Sequence, residues 1–368
     1  MIIPDLLKTL GGQSVTTVEE WETFRRGEIL DLYQNYVYGT RDIERPEDLH
    51  FVLKNEIEAY GMRVKELDAA FGDYSFPFRV YYPAEKGKKF PAFVYVMHEN
   101  LENHFKTLDN GNMYTEELVS SLPLKDITDR GFAIAVMPTR DIYREWTTHS
   151  NFEVGVFTAY KNPKPRQKNS WATISAWAWG VSRIVDYFET DEEIDMTHIA
   201  STGHSRSGKT ALWAGATDTR IQLVAPNNSG CGGAAIFRGK KGEHIKNISV
   251  TDWFCDKFRD YSEREEYLPV DQHMVLSLVA PRYLYVTDSV LDEWADPDAE
   301  LLACKLASPA YELYGLKGLV MEDETPILNK AYKDGHIAFH VKEGDHSQLE
   351  FDWNNLMDYF DKIIEGKI

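Results

Sequence analysis

The sequence predicts an α/β protein, a three-layer sandwich with helices on both faces of a mostly parallel central sheet. Three observations carry this. Short apolar runs of the buried-strand kind recur at residues 92–97, 132–137, 198–202, 221–225, 283–286 and 337–341. Helical patterns lie between them. Ahead of the first run, from about residue 51 to residue 83, apolar and polar residues alternate, most clearly in Phe78-Arg79-Val80-Tyr81-Tyr82. Strands that alternate with helices pair in parallel and are covered on both faces. The alternating start adds an antiparallel edge.

Taken in order, residues 17–37 read as a helix with Thr17 as N-cap and Trp21, Phe24, Ile29, Leu32 and Tyr33 on its apolar face. Residues 171–188 carry Ile174, Trp177, Val181, Ile184 and Phe188 at three- and four-residue spacing. A further helix follows Gly208. The last, 352–364, aligns Trp353, Leu356, Met357, Phe360, Ile363 and Ile364 in one stripe. With no internal repeat, low-complexity tract or linker, the chain is expected to be one catalytic domain, 1–368, with residues 1–50 as an N-terminal helical segment packed on it.

Composition narrows the class. Of the 368 residues 43% are hydrophobic, too many for a disordered chain. No stretch approaches 18 apolar residues without a charge, so no membrane-spanning helix is expected. The formal net charge of −19 argues against nucleic acid or an anionic membrane as partner. Cys231, Cys255 and Cys304 are too few and too far apart for a disulfide framework or a zinc ribbon and read as small buried hydrophobes. The start, MIIPDLLKTLGG, lacks the basic and long apolar regions of a signal peptide. The chain as numbered is thus expected in the cytoplasm, or secreted if a leader precedes this sequence.

The most informative stretch is Gly203-His204-Ser205-Arg206-Ser207-Gly208-Lys209-Thr210. It matches the phosphate-binding loop pattern and also sets Ser205 at a strand-to-helix turn, as in a nucleophile elbow. A phosphate loop needs a later strand ending in an Asp for magnesium, but the next one ends in Pro226-Asn227-Asn228. An elbow needs an acid and then a histidine, each just past a strand. Asp288, Asp292, Glu293 and Asp296 follow the strand at 283–286, and His346 follows the one at 337–341. The order Ser, acid, His is that of α/β-hydrolases. Ser207 replaces the usual second elbow glycine, with Gly208 one residue later. Weaker constellations are set aside: His98-Glu99, Glu102 and His104 form only a near miss for a zinc helix, His273 reads as structural packing near the site, and Trp177 and Trp179 as core.

Several blocks then carry a family resemblance: Ser175-Ala176-Trp177-Ala178-Trp179-Gly180, the elbow with Ala211-Leu212-Trp213-Ala214-Gly215-Ala216, Asn228-Ser229-Gly230-Cys231-Gly232-Gly233, Leu268-Pro269-Val270-Asp271-Gln272-His273, Trp294-Ala295-Asp296-Pro297 and Gly344-Asp345-His346. In these the chain resembles the glucuronoyl esterases of carbohydrate esterase family 15, bacterial type. The resemblance implies a serine esterase, without cofactor or metal, that cleaves the ester between 4-O-methyl-glucuronic acid of xylan and lignin alcohols. Its partner would be glucuronoxylan or a lignin–carbohydrate ester; oligomeric state stays open. It implies Ser205 as nucleophile, His346 as base, Arg206 as oxyanion support, and Lys209, Glu243 and Trp294 as the residues that hold the uronate. Many members carry Glu where this chain has Asn228. Others place the acid two residues before the Trp, which is Asp292 here, with Glu293 the alternative and Asp296 a loop-fixing residue. An esterase for acetyl xylan or another small ester, a nucleotide-binding protein using Gly203 to Thr210, and a catalytically silent carbohydrate-binding relative remain as competing readings.

Overall fold

The computed structural model describes residues 2–41, 43–98, 121–145, 152–159 and 165–368. The alternating stretch folds as an antiparallel meander of β1 (His50–Ala59), β2 (Met62–Phe71) and β3 (Tyr74–Pro83). The apolar runs become β4 (Phe90–Met97), β5 (Ala133–Pro138), β6 (Ile194–His204), β7 (Leu223–Asn227), β8 (Tyr283–Ser289) and β9 (Ile337–Lys342). These nine strands form one sheet in the order β1-β2-β3-β5-β4-β6-β7-β8-β9, and every pairing from β5 to β9 is parallel.

The principal helices are α1 (Arg26–Tyr36), α2 (Thr173–Phe188), α3 (Arg206–Thr217), α4 (Pro297–Leu313) and α5 (Glu350–Ile364). Successive side chains of a strand point to opposite faces, and the two cores follow that alternation. Ala92, Val94 and Val96 join α2, α3 and α4 on one face, while Phe93, Tyr95 and Met97 join Trp353, Met357 and Phe360 of α5 on the other. Every residue of α2 is buried, Trp177 and Trp179 included. The three cysteines are free and buried. Among the described residues no helix is long and apolar enough to cross a membrane.

The N-terminal segment departs from a regular helix. Thr17 caps it in a reciprocal box with Glu20. A π turn, Trp21–Arg25, then adds a residue before α1. That extra residue rotates the face: Phe24, expected inside, is 56% exposed, and Arg25 takes the inward place at 2%. Buried Arg25 donates through Nε to the Leu6 carbonyl at 2.8 Å and through Nη2 to that of Asp5 at 3.1 Å. Further along, Tyr38 stacks on Trp213 of α3 with ring centres 4.2 Å apart. The expected stripe of α5 also ends sooner, since Ile364 is 36% exposed. His273 is buried, but its Nε2 lies 3.0 Å from the Pro4 carbonyl, so its partner is the N-terminal segment.

The register places the site. Val96 pairs with Gly203, His204 with Asn227, Asn227 with Thr287 and Ser289 with Lys342. The carboxyl ends of β4, β6, β7, β8 and β9 therefore share one rim. The chain leaves β4 toward β5 on one side and returns to β6 on the other, so the rim opens between them.

Candidate active site

β6 ends at His204 and α3 begins at Arg206, leaving Ser205 alone at the turn with φ 59° and ψ −124°. Such a conformation costs a non-glycine residue on the order of 1–3 kcal/mol and persists only where its surroundings enforce it. Here the Ser205 N–H donates to the Asn227 carbonyl at 2.9 Å, and the Ser205 carbonyl accepts from the Lys209 N–H at 3.0 Å. The turn is tight enough that a Cβ at Gly203 would lie 2.7 Å from the Ser207 carbonyl oxygen, and one at Gly208 2.9 Å from that of Gly203. The close helix-to-strand approach thus falls on Gly208, which leaves position 207 free to be serine. The half-buried Ser205 stands at the amino end of α3, whose unpaired N–H groups and dipole favour negative charge.

His346 follows β9 with its side chain 41% exposed, and its Nδ1 lies 2.5 Å from Asp292 Oδ2. Asp292 is buried. Burial works against its charge, but hydrogen bonds from His346, Asn228 and the Ala295 N–H hold its carboxyl down at about 2. Glu293 is exposed, so of the two candidate acids Asp292 is the one in contact with His346. Asp296 caps α4 through the Ala299 N–H at 3.1 Å and accepts from the Lys241 N–H at 2.5 Å, so it ties its loop to the 240s segment. With Nδ1 facing a carboxylate, Nε2 of His346 is the nitrogen left to act as base.

Asn228 is turned to the same acid. Its Nδ2 lies 2.8 Å from Asp292 Oδ2, 2.7 Å from Asp288 Oδ1 and 3.1 Å from Ser289 Oγ. Where many family members carry a carboxylate, this chain supplies a donor to one. Behind it Lys342, buried, donates to Ser289 Oγ at 2.6 Å and the Ser347 carbonyl at 2.7 Å and pairs with Asp352 Oδ2 at 3.2 Å. His204 completes this wall. Its ring centre is 4.5 Å from that of His346 and its Nδ1 2.7 Å from Asn227 Oδ1. Burial, with His346 alongside, lowers His204 to about 4, so it is neutral at working pH.

On the other side stand two cations, one turn apart on α3. Lys209 is buried, with Nζ 2.7 Å from the Ser229 carbonyl and 3.1 Å from Glu243 Oε2. Glu243 is buried too, and its Oε1 accepts from Trp294 Nε1 at 3.2 Å. Trp294 is 52% exposed. The structure therefore joins three of the expected residues in one chain of contacts. The Lys209 ammonium points at these acceptors rather than along the elbow, as a phosphate-loop lysine would.

Arg206 has partners that spacing did not reveal. Its Nη1 donates to Glu145 Oε1, and its guanidinium carbon lies 4.7 Å from the centre of the Trp253 ring. Trp253 Nε1 donates to Glu145 Oε2, and His98 Nε2 is 3.0 Å from Oε1. Burial opposes the Glu145 charge, yet His98, Arg206 and Trp253 bring its carboxyl down to about 2. Neither Glu145 nor Trp253 belongs to a recognisable motif. Glu99, Glu102 and His104, the other members of the near-miss metal pattern, lie outside the described residues.

Known proteins of one family resemble the whole chain. The family model for fungal glucuronyl esterases matches residues 119–315. A carbohydrate esterase from an unknown prokaryotic organism is 33% identical over 395 residues, spanning 99% of this chain and 90% of its own. The chain belongs to the glucuronoyl esterases of carbohydrate esterase family 15. The solved glucuronoyl esterase of Solibacter usitatus superposes on it with a TM-score of 0.89 at 31% identity, over 98% of this chain and 97% of that one. A structure described as a promiscuous esterase of the family, from a marine bacterial metagenome, gives 0.86 at 31% identity, covering 98% and 96%. The 4-O-methyl-glucuronoyl methylesterase of Hypocrea jecorina is 28% identical over 85% of this chain and 62% of its own length. This glucuronoyl esterase is accordingly an α/β hydrolase and a carboxylic ester hydrolase.

Proposed function

We propose that this glucuronoyl esterase cleaves the ester between a (4-O-methyl-)glucuronic acid unit of xylan and a lignin alcohol through an acyl-enzyme on Ser205. The observation that carries the reading is the contact chain Trp294–Glu243–Lys209, which ends on the first turn of the helix that Ser205 begins. In this reading these residues offer hydrogen-bonding groups to sugar hydroxyls and an indole face to a pyranose.

In this reading His346 Nε2 takes the Ser205 proton as Oγ adds to the ester carbonyl carbon. Asp292 holds the imidazole through Nδ1 and stabilises the imidazolium. The oxyanion meets the N–H groups at the start of α3 and the Arg206 guanidinium. As the intermediate collapses, the C–O bond to the alcohol breaks and His346 returns the proton to the leaving oxygen. Water, deprotonated by the same nitrogen, then adds to the acyl carbon, and the uronic acid leaves with Ser205 restored.

The test sets a methyl or benzyl glucuronate ester beside an acetyl ester, with Ser205→Ala as control. Faster turnover of the uronate ester, lost in Ser205→Ala, is expected. Preference for acetate, unaffected by Lys209→Ala or Glu243→Ala, would instead indicate a small-ester esterase. That alternative is favoured by one observation: a relative of 31% identity is described as promiscuous.

A further inference from the structure

We propose that Glu145 is a specificity-determining residue: it neutralises the Arg206 guanidinium, so that the site accepts a neutral uronate ester and does not retain the anionic acid it produces. The inference rests on the uronate-ester reading above. Hydrolysis converts RCOOR′ and water into RCOO⁻, R′OH and a proton. The substrate carboxyl is uncharged, whereas the product carboxyl is ionised at neutral pH, since carboxylic acids titrate near pH 4. Two cations on the first turn of a helix, where the dipole adds partial positive charge, would form a strong anion site. Left unopposed, Arg206 and Lys209 would hold the product better than the ester.

The structure opposes each cation with its own carboxylate. Glu243 meets Lys209 at 3.1 Å, and Glu145 meets Arg206. Glu145 comes from a separate segment, just past the one-turn helix Thr139–Ile142, and has both carboxylate oxygens engaged. Oε1 faces Arg206 and His98, and Oε2 accepts from Trp253. A carboxylate saturated in this way is a poor proton carrier but a fixed negative charge. A guanidinium has five N–H donors, and the one given to Glu145 leaves others for a developing oxyanion. The Trp253 ring lies beneath the guanidinium, its centre 4.7 Å from the guanidinium carbon. Glu145 therefore acts through Arg206, keeping its donors in place while removing its net charge.

The experiment uses the full chain with methyl glucuronate as substrate and two competing inhibitors, glucuronate and the uncharged glucuronamide. In the wild type the two should inhibit with constants within about three-fold of each other. In Glu145→Gln, glucuronate should bind about ten-fold more tightly while glucuronamide shifts by less than about two-fold. Glu145→Asp, which keeps the charge, should stay close to wild type in the ratio of the two constants. A merely structural role would move both inhibitors and the ester KM together, and that result overturns the proposal. So does a wild type that prefers glucuronate over glucuronamide ten-fold or more, a measurement that needs no variant to fold. A wild type that turns over acetyl esters but not methyl glucuronate overturns the functional reading itself, and this inference with it.

Discussion

The two flanks of Ser205 and His346 treat buried charge in opposite ways. On the Arg206 and Lys209 side each cation meets a carboxylate, and the carboxylates are further bonded by Trp253 and Trp294. Behind Asp292 acids accumulate instead. Asp288 and Glu300 are both fully buried, and one oxygen of each, Oδ2 and Oε2, has no hydrogen-bond partner among the described residues. Burial, with Glu300 and Asp292 nearby, pushes Asp288 well above the usual carboxylate range, and burial raises Glu300 to about 7. One flank pairs its carboxylates with cations; the other buries Asp288 and Glu300 and so raises their affinity for protons. The difference has a use. Of the acids behind the histidine, Asp292 is the one held low, at about 2, and the one that His346 meets.

The contrast can be broken at three places. The largest effect is expected at its boundary. Asp292→Asn should lower kcat by about 10³–10⁴-fold, because an amide cannot stabilise the imidazolium. Exposed Glu293→Gln should leave kcat within about two-fold. Loss of activity in the second variant alone would assign the acid differently. Next, Lys342→Met removes the buried cation of the rear wall and leaves Asp352 Oδ2 with the Leu349 N–H, and Oδ1 with His340 Nε2, a ring that burial shifts toward the neutral form. A loss of about 3 kcal/mol in urea unfolding is expected, in keeping with the cost of halving a buried ion pair; no loss would mean that Asp352 and its neighbours already balance without it.

The smallest effect concerns pH. The Glu300 carboxyl has a higher affinity for protons in the folded chain than in the unfolded one, so its contribution to stability is full below about 4.5 and is lost as pH rises through about 7. Glu300→Gln is neutral throughout, and its amide oxygen can still accept from Ser229 Oγ and the Gly230 N–H. The variant should gain about 2–4 °C in Tm at pH 8 and nothing below pH 4.5. An unchanged Tm at both pH values would show that burial does not raise the affinity of Glu300 for protons.

Much of the fold was legible because β4 to β9 are short apolar runs, the meander an alternating stretch, and α2 and α5 periodic stripes; α4 was not foreseen. The inward turn of Arg25 was not legible either, since a π turn leaves no mark in periodicity and the arginine is satisfied by carbonyls from another segment together with Glu28 on its own helix. At the site, Ser205, Lys209 and His346 stand in local patterns that announce strand ends and helix starts. Glu145 and Trp253 do not. They reach Arg206 from 61 and 47 positions away in the chain, and nothing local marks either one. Lys342 did leave a signal, a lysine at the end of a β9 that is apolar apart from His340, though its meaning depends on which neighbouring strand lies beside it.

One seam has a practical consequence. Val290 N–H donates to the Lys342 carbonyl at 2.9 Å, and Leu291 N–H to that of Gly344 at 3.0 Å. The loop that bears Asp292 is thereby stitched by main chain to the loop that bears His346, independently of the contact between the two side chains. Side chains at 290 and 291 face outward, 44% and 69% exposed, and take no part in the stitching. Evolution or a combinatorial library can rewrite them without disturbing the alignment of acid and base. They are positions where the surface of this loop can vary while Asp292 and His346 stay aligned.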